Sequence, residues 1–136
     1  ILERKKSFND TALRKFNVSD IKSVRVRRIH FAKCPIKGWF FNHWALIFER
    51  EDGKFITLQF VKTGIESERS VTFERALEAV AKCSVSQPDH VQTKVLGKTK
   101  KTIGEIFEVA FELNREYSFI SYNCRHFVLD VLREIV

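Results

Sequence analysis

Tyr122-Asn123-Cys124-Arg125-His126-Phe127-Val128-Leu129-Asp130-Val131-Leu132-Arg133-Glu134-Ile135-Val136 is the stretch whose reading decides the fold. Apolar residues fall at Cys124, Phe127, Val128, Val131, Leu132 and Ile135. Those steps make one stripe of an α-helix. Asn123 is a good N-cap, so Cys124 takes the first helical position. A thiol there meets free backbone N–H groups and the positive end of the helix dipole, and both favour thiolate over thiol. The sequence therefore predicts a nucleophile at the N-terminus of the C-terminal helix.

A nucleophile needs a base, and the chain has four histidines, His30, His43, His90 and His126. His126 follows Cys124 by two positions, on the far side of the helix from the thiol. His90 follows the turn signal Gln87-Pro88-Asp89 and reads as solvated. His43 opens the run His43-Trp44-Ala45-Leu46-Ile47-Phe48. That run breaks at Glu51-Asp52-Gly53 and resumes as Phe55-Ile56-Thr57-Leu58-Gln59-Phe60-Val61, which reads as a β-hairpin. A three-residue loop pairs Arg50 with Lys54 and makes Gln59 a same-face diagonal neighbour of His43. A two-residue turn shifts that register by one. Gln59, or Thr57 two residues earlier, is the candidate that holds the imidazole in one tautomer.

His43-Trp44-Ala45 on a hairpin, followed by Tyr122-Asn123-Cys124-Arg125-His126-Phe127, resembles the circularly permuted branch of the NlpC-type papain-fold superfamily. In that branch the base precedes the nucleophile. The chain looks most like the lecithin:retinol acyltransferase-like family, whose signature joins His-Trp-Ala to Asn-Cys-Glu-His-Phe. A second likeness is to the permuted papain-fold isopeptidases, with Asn-Cys-Asn-His-Phe. The resemblance spans residues 25–136 and is specific in the two short motifs. The first likeness implies acyl transfer or hydrolysis on lipids through an acyl-thioenzyme, and the second implies removal of small protein modifiers. Cys124, His43 and Gln59 would be catalytic, and Trp44, Tyr122, Asn123 and Arg125 would contact substrate. Arg125 stands where the first family has glutamate, and no second histidine occupies the returning strand. Those departures keep open a catalytically silent module in which Arg125 grips an acidic partner group.

Of the 136 residues, 44% are hydrophobic and 13 are Phe, the composition of a globular chain with a sizeable core. No apolar run is long enough to span a bilayer. Cys34, Cys83 and Cys124 are an odd set without paired spacing, which points to a reducing, cytoplasmic setting. Cys34 and Cys83 read as packing residues, and no Cys/His cluster has ligand spacing, so no metal or cofactor is expected. The net charge of +7 gathers at Arg4-Lys5-Lys6, at Arg25-Val26-Arg27-Arg28 and from Lys94 to Lys101. Such runs face solvent or an anionic membrane surface, and no nucleic-acid motif accompanies them. A membrane-peripheral domain of a longer protein, meeting a lipid acyl donor or a modified protein, is the expected setting.

The rest of the chain reads as a basic segment over residues 1–20, with a short helix from Asp10 to Phe16, and one domain over residues 21–136. A strand covers Ile21 to Phe31. A turn at Cys34-Pro35-Ile36-Lys37-Gly38 leads into Trp39-Phe40-Phe41, an aromatic cluster that is either core or the rim of an apolar substrate groove, with core the better reading because Phe and Trp are mostly packing residues. Helices follow from Phe73 to Cys83, capped by Thr72, and from Ile103, behind the capping box Thr102-Ile103-Gly104-Glu105. Val91 to Leu96 reads as a short strand. The fold class is α+β: a small antiparallel sheet packed with helices, permuted papain-like.

Overall fold

Three long strands, β1 (Val26–Pro35), β2 (Asn42–Arg50) and β3 (Phe55–Val61), form the centre of one antiparallel sheet. The short strands β4 (Gly64–Glu66) and β5 (Arg69–Ser70) pair with β3, and β6 (Gln92–Gly97) pairs with β1 on the far edge. The helices are α1 (Asp10–Lys15), α2 (Phe73–Cys83), α3 (Ile103–Glu112) and α4 (Cys124–Ile135). The computed structural model describes residues 8–38 and 40–136, so Arg4-Lys5-Lys6 and Trp39 lie outside the described residues. No helix among the described residues is long and apolar enough to cross a membrane.

The β2–β3 hairpin decides where the candidate site residues point. Its loop is Glu51-Asp52-Gly53. Gly53 sits at φ +83°, the left-handed conformation that closes a three-residue hairpin loop. Arg50 N–H donates to the Lys54 carbonyl at 2.8 Å, and Gly53 N–H to the Arg50 carbonyl at 2.9 Å. Ala45 therefore stands opposite Gln59 and Ile47 opposite Thr57, the register of the three-residue alternative.

Alternation along the strands sorts the core into two. Leu46, Phe48, Ile56, Leu58 and Phe60 face α3 and α4, where Ile106, Phe107, Phe127, Val128 and Val131 close the main core. Ala32, Cys34, Ala45 and Ile47 face α2, whose small residues Ala76, Val80 and Ala81 let it lie close to the sheet. The β1 strand differs from the sequence reading: it begins at Val26 and runs through Cys34 to Pro35, because Cys34 is a buried ladder residue paired with His43 and not part of a turn. In the N-terminal segment, Leu13, Phe16, Val18 and Ile21 belong to the main core, so this stretch packs onto the rest of the domain. Phe40 and Phe41 are exposed, not core.

Gly104, at the start of α3, shows how tightly the N-terminal segment is joined. Its N–H donates to the Lys22 carbonyl at 2.9 Å. An added Cβ would come within 2.8 Å of that same carbonyl oxygen and 2.6 Å of the Phe8 ring. Alanine gains about 1 kcal/mol of helix propensity over glycine, but a backbone oxygen has nowhere cheap to go, and overpacking costs about 1–3 kcal/mol. Gly104→Ala should lower stability by about 1 kcal/mol in urea unfolding; a gain would show that the contact relaxes freely.

Candidate active site

Asn123 caps α4. Its side-chain oxygen accepts from Arg125 N–H at 3.0 Å, and its Nδ2 donates to the Phe119 carbonyl at 2.9 Å. The His126 ring completes the cap, with Nδ1 accepting Asn123 N–H at 3.1 Å, and it stacks on Tyr122. Tyr122 is buried, donates its hydroxyl to Asp130 at 3.0 Å, and carries the Arg115 guanidinium on its ring. Tyr122 thus shapes the helix start from behind, whereas Asn123 both caps the helix and lines the groove beside Cys124.

Cys124 is the first residue of α4. The ladder between β2 and β3 stops at the pair Ala45–Gln59. The next N–H on that edge belongs to Trp44 and donates to the Cys124 sulfur at 3.5 Å. A groove of about 50 Å³ opens over the thiol, walled by Phe41, Asn42, Tyr117 and Phe119. The backbone N–H of Cys124 faces the Tyr117 hydroxyl. Arg125 lies over the Trp44 indole with its guanidinium carbon 4.8 Å from the ring centre, a cation–π contact that leaves its edge free for an anion.

The electrostatics differ from the sequence expectation. Burial pushes the Cys124 thiol above its ordinary value. The N–H groups of Trp44, Arg125 and Cys124 and the Arg125 charge pull the other way, and burial outweighs them. The resting group is the thiol. Cys83 is worse placed for chemistry. Burial and the neighbouring Glu66 push it up to about 12. Cys34 is fully buried.

His43 is also buried, and its Nε2 lies 2.7 Å from Gln59 Oε1. Gln59 Nε2 donates to the Ala79 carbonyl of α2 at 3.3 Å. That bond fixes the amide orientation, so its oxygen faces the ring. The imidazole then carries its proton on Nε2 and leaves Nδ1 bare. Thr57 is engaged elsewhere, its Oγ1 accepting Glu68 N–H at 3.0 Å, so Gln59 is the residue that orients His43. Yet His43 shares its face of β2 with Ala45 and Ile47, the face covered by α2, whereas α4 packs on the other. The sulfur rests against the peptide joining His43 to Trp44, and no hydrogen bond joins it to the imidazole. Tyr117 was not legible as a site residue; a lone tyrosine in a loop carries no periodic or spacing signal.

Burial lowers the pKa of both His43 and His30, against the pull of Gln59 on one and Glu49 on the other. The sign follows from proton uptake. Below the ordinary histidine value of 6.5 the unfolded chain binds protons that the folded chain refuses, so stability falls as pH drops through that window. The urea midpoint should be lower at about pH 5 than at about pH 7.5; a midpoint that rises on acidification would contradict the burial of neutral rings.

Among the described residues no group of three or more His, Cys, Asp or Glu converges as a metal site. Compared with family models, with curated proteins and with solved structures, the chain shows no significant match.

Proposed function

We propose that the protein is a cysteine-dependent hydrolase or acyltransferase acting on lipid acyl esters or amides through an acyl-thioenzyme, on a permuted papain-like arrangement. One observation carries this reading. Cys124 heads α4 with its sulfur against the His43–Trp44 peptide, while Gln59 holds His43 in the tautomer whose Nδ1 can take a proton. The strand bearing the base precedes the helix bearing the thiol, as the resemblance implies.

The chemistry runs in two halves. The thiol passes its proton to His43 Nδ1 through one water bridging the end of β2, a route open to groups not in direct contact. The sulfur attacks the acyl carbonyl, and the Tyr117 hydroxyl, polarised by the Cys124 N–H that faces it, donates to the oxyanion that forms. Collapse breaks the bond to the leaving alkoxide or amine, which takes the proton from His43 and leaves a thioester on Cys124. Water, or a second hydroxyl or amine, then attacks the thioester and gives its proton to His43; the C–S bond breaks, the acid or the new ester or amide leaves, and His43 returns the proton to the Cys124 sulfur. Arg125 and Trp44 at the mouth meet the polar end of the acyl donor.

A second reading has specific support. The raised thiol pKa and the missing bond between Cys124 and His43 suit a silent module that binds an acidic group at Arg125. Intact-mass measurement after incubation with phospholipid separates the two. An acyl adduct on Cys124 is the expected result. No adduct with cleavage of a ubiquitin-like conjugate selects isopeptidase chemistry, and neither outcome selects the silent module.

A further inference from the structure

Two loops meet at the mouth of the Cys124 groove, and both carry large apolar side chains in the open. Residues 36–41 join β1 to β2 and present Phe40 and Phe41. Residues 113–123 join α3 to α4 and present Phe119 and Ile120. Phe40 is 103% exposed and Ile120 85%. Phe41 and Phe119 meet edge to face, with ring centroids 5.0 Å apart, so the two loops form one lip. A scattered exposed apolar residue needs no explanation, but a contiguous cluster at the mouth of a site does.

The grooves at the lip are lined by cations, while the exposed Glu116 lies in the second loop, outside both linings. A second groove, about 310 Å³, continues from the first through Phe41, Asn42 and Arg125 and is lined by Phe31, Lys33, Phe40 and Trp44. Neither groove is lined by a carboxylate. Lys37 is exposed in the same loop as Phe40. Apolar tips flanked by cations, on a chain of net charge +7, complement a surface that is apolar inside and anionic at its face. A protein partner would need a shaped complement to the tips, whereas a bilayer accepts protruding side chains of any outline.

The geometry points to this lip as a membrane-docking face. Phe40 and Ile120 enter the acyl region of an anionic bilayer, Lys33 and Lys37 stay at the phosphates, and the Cys124 groove opens onto the lipid. The inference rests on the proposed function for what happens at the thiol, but the docking itself does not need the chemistry.

The test is co-sedimentation of the full chain with phosphatidylcholine vesicles, with and without phosphatidylserine. Wild type and Cys124→Ala should bind the anionic vesicles alike, so a failure of the catalytic reading leaves this result standing. Phe40→Ser with Ile120→Ser should weaken binding at least about tenfold, from the transfer free energy of two apolar side chains. Lys37→Glu should weaken it by roughly fivefold or more. Val71→Ser removes another exposed apolar residue, beside α2 and away from both grooves, and should change nothing. Circular dichroism of each variant checks that the fold is intact. No binding to anionic vesicles, equal loss in Val71→Ser, or binding indifferent to Phe40 and Ile120 overturns the proposal. Binding of an acidic peptide or a nucleic acid at the lip with no vesicle binding also overturns it.

Discussion

Cys124→Ala should remove turnover by about 10⁴-fold or more, the usual consequence of deleting a nucleophile. Cys34→Ala and Cys83→Ala should leave turnover within a few-fold of wild type. Each thiol has its own physical reason. Cys34 is sealed between sheet and α2. Cys83 lies 3.6 Å from the Glu66 carboxylate, which repels the thiolate it would have to become. Only Cys124, of the three, has the Trp44 and Arg125 N–H groups and a guanidinium acting on its sulfur. Gln59→Leu should cost less than the nucleophile, because it releases His43 from one tautomer without removing it. Turnover that survives Cys124→Ala, measured on any acyl substrate the protein converts, would sink the proposed thiol mechanism outright. Loss of turnover in Cys34→Ala with an unchanged urea midpoint would do the same by a different route.

What the sequence made legible is local. The Asn123 cap, the Thr102 capping box and the α2 span from Phe73 to Cys83 all appear as read, because caps and helical stripes depend on neighbours a few residues away. The pairing of His43 with Gln59 was readable too, since a three-residue loop with Gly53 at positive φ sets the whole register. The relation of His43 to Cys124 was not. It depends on which face of β2 each helix covers, and alternation alone does not say whether α2 or α4 takes the face of Ala45 and Ile47. The thiol pKa escaped for a similar reason. Helix-end geometry is written in sequence, but the thiol is covered in part by Phe41, Asn42 and Trp44, which are distant in the chain. Composition favours core over groove rim for Phe40 and Phe41, and the structure turns both to solvent at a loop tip that lines a groove.

Phe60→Ala should be among the most destabilising single substitutions in the chain, by about 3–5 kcal/mol. The side chain is fully buried on the α4 face of β3. Its ring lies 5.1 Å from Phe127, 5.2 Å from Tyr117 and 5.6 Å from Tyr122, centroid to centroid. Those three partners are a residue in the first turn of α4 and two residues of the loop that leads into Cys124. One ring therefore joins the sheet to the helix and to the loop carrying the Tyr117 hydroxyl. Whole-domain stability is about 5–15 kcal/mol, so the loss is a large share of the total. Phe60→Leu retains most of the volume and should cost under about 1.5 kcal/mol. Phe40→Ala, at an exposed position, should stay within about 0.5 kcal/mol. The contrast is readable in urea midpoints of the three variants. In the leucine variant the fold persists while the stack under Tyr117 is lost, so any acyl turnover should fall by more than the change in folded fraction explains. A Phe60→Ala variant that loses less than about 1 kcal/mol would mean that α4 is seated by its own stripe of Phe127, Val128 and Val131. The aromatic stack would then be incidental to how Cys124 is placed.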